Sequence, residues 1–316
     1  MDQTKVFGPV PSRRLGKSVG INNIPPKICT YSCVYCQLGK SLKMLTDRCA
    51  YYDPEMLLAE TKEKIKIAHL NNEPIDYLTI VSDGEPTLDV NLGQLIQKLS
   101  QLDIKIAVIT NSTLLNQPDV RQELCKANWV SVKIDTLDEK IWKKIDRPHK
   151  KIKFDAMLAG IRAFSREFKG RLVTETMLVK EVNDDRQSLE KTARFISELN
   201  CSLAYLSIPT RPPALKWVRQ PEAQTISRAY HLFNSHKLST QYLIGYEGNQ
   251  FAYTGNIEAD ILSITAVHPM REDAVYAYLK KAKGHFSSIE HLLADNKILV
   301  STYNNERFYM RTLTDH

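Results

Sequence analysis

The stretch Tyr77–Thr110 reads YLTIVSDGEPTLDVNLGQLIQKLSQLDIKIAVIT. It opens with an apolar β-type run, Tyr77–Ser82, and turns around Gly84 and Pro86. A helical pattern follows over Leu88–Leu102, and a second β-type run, Ile104–Thr110, closes the unit. Two such runs joined by an amphipathic helix make a right-handed βαβ unit, so the strands run parallel. The alternation continues on both sides. Upstream lie the run Ser18–Ile24 and the helical segment Pro54–Leu70. Downstream, the runs Val130–Asp135, Leu172–Val179 and Leu203–Ile208 alternate with helical Pro118–Lys126, Phe154–Phe168 and Asp185–Leu199. Six units are too few for a closed eightfold barrel. The expectation is therefore an α/β fold built on a partial (β/α)6 parallel barrel, with catalytic groups at the C-terminal ends of its strands. Pro209–Pro213 ends this region; a helix at Pro221–Phe233 and a strand at Tyr242–Tyr246 complete it.

From about Ile257 the pattern changes. Helical stretches Ile257–Val267, Glu272–Ala282 and Phe286–Asp295 precede two β-type runs, Ile298–Tyr303 and Phe308–Leu313, joined at Asn304–Asn305. Three helices and a hairpin match a small winged-helix-like domain, which gives expected domains of 1–255 and 256–316.

The composition, 43% hydrophobic and 25% charged, is that of a globular protein with ample core. A net charge of +7 permits an anionic partner without demanding one. No apolar run approaches the roughly 18 residues that span a bilayer, and Met1–Arg14 lacks the apolar centre of a secretory signal. The expected location is the cytoplasm, with no membrane partner.

The chain has six cysteines, and three of them, Cys29, Cys33 and Cys36, fall within eight residues in a loop bounded by Pro25-Pro26 and Gly39. A loop can wrap three thiolates round one corner of an iron–sulfur cubane and leave the fourth iron open. Structural zinc is the competing reading, but it wants four ligands and no nearby Cys-x-x-Cys pair or His completes the set. Cys49 is the one further thiol close in sequence. Cys49, Cys125 and Cys201 read as buried small apolar residues.

Cys29-x3-Cys33-x-Tyr35-Cys36 resembles the signature of the radical S-adenosylmethionine superfamily. The resemblance covers roughly residues 5–210. It implies a radical S-adenosylmethionine type of barrel, one [4Fe–4S] cluster held by the three cysteines, and S-adenosylmethionine chelated to the open iron. It also implies electron transfer from a donor such as flavodoxin or ferredoxin. Reductive cleavage would then yield a 5′-deoxyadenosyl radical that abstracts a substrate hydrogen.

Further positions follow from the same resemblance. Asp83-Gly84-Glu85-Pro86 is similar to the family's Gly-Gly-Glu-Pro motif, which holds the amino group of S-adenosylmethionine, with Asp83 where the first glycine usually stands. Asn111 and Ser112 end the third strand. Lys133 and Asp135 share one face of the fourth strand by period two, and Glu175 is the ionisable member of the fifth. With Tyr35, these are the expected cofactor-binding residues. Lys133 and Asp135 are also catalytic candidates. The competing reading of Lys133, Asp135 and Glu175 is an internal ion network, since buried charges need partners.

Phe7–Gly16, Cys36–Gly39, Ser82–Leu88 and the tail look like the branch of the tRNA wyosine-base (4-demethylwyosine) synthases. Those enzymes carry a second cluster on upstream cysteines; no cysteine precedes Cys29 here. A tRNA base or a peptide is the expected substrate. Lys143–Lys151 with Lys153, and Arg13-Arg14, are basic stretches suited to phosphate contacts, or else solvated helix ends. His149, inside the similar Arg147-Pro148-His149 motif, is a third catalytic candidate. The tail's cations are matched by its acids, so duplex DNA is not an expected partner. Two other readings compete with a substrate-modifying enzyme: a winged-helix regulator with an iron–sulfur sensing site, and a glycyl-radical activating enzyme.

Overall fold

The computed structural model describes residues 5–244, 251, 253, 255–267 and 269–312. Strands β1 (Val6–Ser12) and β2 (Gly16–Ile21) form an antiparallel hairpin. Two-residue strands β3 (Ile28–Cys29) and β4 (Lys43–Met44) bracket the cysteine loop. Helix α1 (Pro54–Leu70) follows, started by Pro54 and by Asp53, whose side chain accepts from the Glu55 amide at 2.9 Å. The alternating series is β5 (Tyr77–Ile80), α2 (Leu92–Leu99), β6 (Lys105–Thr110), α3 (Pro118–Leu124), β7 (Trp129–Lys133), α4 (Glu139–Ile145), α5 (Phe154–Glu167), β8 (Arg171–Met177), α6 (Arg186–Ser197), β9 (Leu203–Ser207), α7 (Ala223–Ser235) and β10 (Thr240–Leu243).

One eight-stranded sheet has the order β1-β2-β5-β6-β7-β8-β9-β10, and every pair except β1–β2 is parallel. The α/β half-barrel is as expected, with an antiparallel edge strand added. Alternation hid that strand, because Gly8 and Pro9 interrupt it and the register shifts between Phe7 and Val10. Helix α4 runs into the basic stretch Lys143–Lys151, whose first residues are therefore a solvated helix end. Asp138 caps it by accepting from the Lys140 and Ile141 amides at 2.8 and 3.1 Å, and Lys143 and Lys144 suit its C-terminal end.

Successive strand residues face opposite sides. One set, including Leu78, Ile80, Val108, Val130 and Leu172, packs against the helices. The other lines the barrel interior: Ala107, Trp129, Val173, Leu203, Tyr205 and Leu243 close round Leu15 from the β1–β2 turn. Further along the same inner face the residues turn polar, and there the site begins.

The C-terminal part comprises α8 (Ile257–Val267), β11 (Met270–Arg271), α9 (Glu272–Lys281), α10 (Ser287–Ala294), β12 (Ile298–Tyr303) and β13 (Glu306–Arg311), with an antiparallel sheet ordered β11-β13-β12. Asn304 and Asn305, at φ 51° and 61°, make the tight β12–β13 turn. Phe7 and Val10 of β1 are buried in the same cluster as Ile261, Tyr278, Leu292 and Tyr309, so the edge strand is shared by both parts. Of the expected strand Tyr242–Tyr246, the last two residues lie outside the described residues, as does Leu313 of the final run. No helix among the described residues is long and apolar enough to cross a membrane.

Candidate active site

The cysteine loop is held by its non-cysteine residues. Val34 is fully buried, and its amide donates to the Ile145 carbonyl at 2.8 Å. The Tyr31 hydroxyl accepts from Trp142 Nε1 at 2.7 Å and donates to Met157 Sδ at 3.0 Å. These anchors point toward α4 and α5. Cys29, Cys33 and Cys36 line a cavity of about 320 Å³, to whose wall Tyr31 also contributes. Two turns close the loop: the Cys36 amide donates to Cys33 O, and the Gly39 amide to Cys36 O, both at 3.2 Å. Gly39 has φ +82°, a conformation that favours glycine.

Burial pushes all three thiols up, Cys29 to about 12 with the Glu85 charge adding to it. Such sulfurs are released as thiolates only against a compensating cation. Among the described residues no three His, Cys, Asp or Glu side chains converge on a point suited to a single ion. Three soft thiol donors from one loop, lining one cavity, fit three corners of a cubane cluster, whereas structural zinc wants a fourth protein ligand.

The turn after β5 forms the next wall. At Gly84 a Cβ would lie 1.8 Å from the Ile28 carbonyl oxygen, so only glycine lets this turn reach the strand that carries Cys29. Asp83 lines the cavity; its Oδ1 is buried and without a hydrogen-bond partner among the described residues. Burial pushes its carboxyl up to about 8, opposed by the Arg311 guanidinium of β13. Glu85 points elsewhere. Its Oε1 accepts from Thr110 Oγ1 and Thr87 Oγ1, both at 2.6 Å, and its Oε2 from the Asn111 amide at 2.7 Å. Pro86 O accepts from Asn23 Nδ2 at 3.0 Å. Glu85 thus ties the end of β5 to β6 and Pro86 ties it to the segment after β2, and both lie off the cavity wall.

Lys133 and Glu175 are register partners on β7 and β8, with Nζ 3.2 Å from Oε1. Lys133 Nζ lies 3.8 Å from Asp135 Oδ1 and 4.9 Å from the centre of the Tyr35 ring. Arg14 pairs with the other oxygen of Glu175, and the Tyr35 hydroxyl reaches Asp135 Oδ2 and, at 2.9 Å, Asp146 Oδ1. Although burial raises the Glu175 carboxyl, Arg14 and Lys133 together hold it well below the usual range. The ion network read from sequence is therefore present, extended by Arg14, Tyr35 and Asp146. Of its members, Tyr35, Arg14 and Glu175 reach the cavity wall.

Asn111 Nδ2 donates to Thr30 Oγ1 at 2.7 Å and approaches Cys29 Sγ at 3.5 Å. Ser112 is buried, with its Oγ accepting from the Lys133 amide at 2.8 Å. His149 lies off the cavity wall; its amide donates to Thr30 O at 2.9 Å, and its Nδ1 accepts from the Lys151 amide at 3.3 Å. Cys49 and Cys125 are exposed and Cys201 is half-buried, which corrects the reading of all three as buried. Lys27, Met177, Ser207, Thr210 and Arg211 also line the cavity. Period two from Glu175 points to Met177, but nothing local marks the others.

The α4 end and the segment Leu215–Val218 hang directly on the cysteine loop, through Val34 N to Ile145 O at 2.8 Å and Leu215 N to Val34 O at 3.1 Å. Both carry exposed cations. Lys40, Lys144, Arg147, Lys150, Lys216 and Arg219 are exposed and have no carboxylate partner among the described residues, whereas Lys143 and Lys151 pair with Glu139 and Asp47.

A family model described as the Radical SAM superfamily matches residues 23–196, and the chain belongs to that superfamily. It is therefore an enzyme, of a class whose cofactors are a [4Fe–4S] cluster and S-adenosylmethionine. Along nearly its whole length it is similar to the UPF0026 protein MJ1312 of Methanocaldococcus jannaschii: 44% identical over 312 residues, 98% of this chain and 97% of that one. Among solved structures, a radical SAM methyltransferase from Sphaerobacter thermophilus superposes with a TM-score of 0.57 at 15% identity, covering 72% of this chain and 66% of that one. A structure of TYW1 with a lysine–pyruvate adduct bound gives 0.55 at 17% identity, covering 70% of this chain and 75% of that one. At these identities the likeness is one of fold.

Proposed function

We propose that this enzyme generates a 5′-deoxyadenosyl radical in the cavity at the C-terminal ends of its strands and uses it to abstract a hydrogen from an RNA nucleotide. One observation carries the reading: Cys29, Cys33 and Cys36, far from the strand residues in sequence, line one cavity with Asp83, Gly84 and Glu175. The three cysteines would hold the cluster. Asp83 and Gly84 would receive the S-adenosylmethionine amino group, and Glu175, Arg14 and Tyr35, backed by Lys133 and Asp135, would orient its ribose and carboxylate. The bound pair supplies one-electron cleavage of the sulfonium. The protein's own residues orient the cofactor and exclude water around it. A donor such as flavodoxin or ferredoxin would deliver the electron in the cytoplasm.

The exposed cations without carboxylate partners among the described residues, on the cysteine loop and the two segments that flank it, favour RNA over a peptide, because they suit a phosphate backbone. In this reading the barrel spans 1–255, and the unit 256–316 braces its β1 edge rather than binding a duplex. Anaerobic reconstitution should load about four irons per chain and give 5′-deoxyadenosine on reduction with S-adenosylmethionine. Retention of both by Cys33→Ala would overturn the assignment. Binding of bulk tRNA should weaken steeply with salt; salt-independent or absent binding would remove RNA as the substrate.

A further inference from the structure

A single tryptophan stands out beside the cysteine loop. Trp129 and Trp142 are 1% and 2% exposed, while Trp217 is 43% exposed. An exposed aromatic by itself is ordinary, but the setting of this one is not. It sits at the tip of a turn in which the Val218 amide donates to Leu215 O at 3.1 Å, so Lys216 and Trp217 are its two central residues. Val218, 1% exposed, is buried in a cluster with Val34, Ile145 and Val179, against which Leu215, Tyr35 and Met177 also pack. The base of the turn is thus fixed to the cysteine loop and to the cavity wall, and its tip is pushed outward. An indole has a large apolar surface to bury, and this turn leaves much of it exposed. Lys144 of α4 lies with Nζ 5.8 Å from the centre of the ring, and Lys216 and Arg219 flank it without carboxylate partners among the described residues.

We propose that Trp217, with Lys144 against its ring and its turn fixed to the cysteine loop, is a stacking platform for an unpaired base of the RNA substrate. A flat aromatic face set among cations is the combination that binds single-stranded nucleic acid: the cations track phosphates and the ring takes a base. A duplex, whose bases are already stacked, would meet the cations alone. This platform therefore selects loops and unpaired ends, and it rests on the RNA reading above.

The test uses the reconstituted holoenzyme under anaerobic conditions, titrated with a single-stranded RNA oligonucleotide, an RNA duplex and inorganic polyphosphate. Tryptophan emission and labelled-oligonucleotide anisotropy are followed together. The other two indoles are buried and cannot stack on a base, so the part of the emission change that is lost in Trp217→Phe reports Trp217. Single-stranded RNA should quench the emission; duplex and polyphosphate should bind through charge without quenching. Trp217→Ala should weaken single-stranded binding about 5- to 100-fold and leave polyphosphate binding unchanged, with Trp217→Phe restoring part of the loss. Lys144→Met is the second variant and should reduce binding without abolishing the quench. If single-stranded RNA binds with no quench and Trp217→Ala binds it like the parent, the platform is refuted while RNA binding stands. If no RNA binds at all, the RNA reading fails and the platform with it.

Discussion

The Tyr35 hydroxyl sits 2.9 Å from Asp146 Oδ1, joining the aromatic residue of the cysteine motif to the end of α4. The same hydroxyl reaches Asp135 Oδ2 beyond the end of β7. One phenol thus couples the cysteine loop to two buried carboxyls. Tyr35→Phe keeps the ring and deletes the donor. Leaving buried acceptors unsatisfied costs about 1–3 kcal/mol, to be read as a lower urea midpoint at unchanged slope.

Lys133 is the cation between Glu175 and Asp135, 3.2 and 3.8 Å from their oxygens. Lys133→Met leaves Asp135 without its cation and Glu175 dependent on Arg14. Breaking such a buried pair is expected to cost about 3–5 kcal/mol. The low-lying Glu175 carboxyl stabilises the fold above the usual carboxylate range, a contribution lost as the pH falls through its folded value. The variant should therefore lose less stability than the parent between pH 5 and pH 3. Equal losses in the two proteins would contradict this.

Asp83 has the opposite sign. Burial raises its carboxyl from 3.8 to about 8, so its contribution is fully present below about pH 3.8 and is lost as the pH rises through about 8. Asp83→Asn removes the ionisation. Its stability relative to the parent should increase from pH 5 to pH 9 in denaturant titrations of the apoprotein. A constant difference across that range would show that Asp83 does not titrate there.

Gly84 packs where a Cβ would strike the Ile28 carbonyl. Gly84→Ala must move β3, and with it Cys29. An overpacking cost of about 1–3 kcal/mol is expected, together with iron loading well below that of the parent after reconstitution. Normal loading would mean that the turn yields without disturbing the cysteines.

The thiols divide cleanly. Cys29→Ser, Cys33→Ser and Cys36→Ser should each lose most of the bound iron and the visible absorption of the cluster. Cys49→Ser, Cys125→Ser and Cys201→Ser should retain both, since Cys49 and Cys125 lie exposed on the surface and Cys201 packs against the main core. Iron and sulfide analysis of the six variants decides it.

The sequence by itself determined the parallel α/β plan and the three-cysteine motif, because both are written in local intervals. Period two along Val130–Asp135, helical period along Pro54–Leu70 and the spacing of Cys29, Cys33 and Cys36 need no distant partner to be read. Glycine at position 84 was legible as the residue on which the chain turns, though not as the one that makes room for the Ile28 carbonyl. Only the tertiary structure paired Arg14 with Glu175, Tyr35 with Asp146 and Lys144 with Trp217, and turned Glu85 away from the cavity to clamp β5 to β6. It also added β1, whose Phe7 and Val10 complete the core of the C-terminal part. These relations depend on which faces meet when the sheet curls and the hairpin turn enters it. No local period encodes a contact between residues 161 positions apart, such as Arg14 and Glu175. Packing of the whole chain decides it.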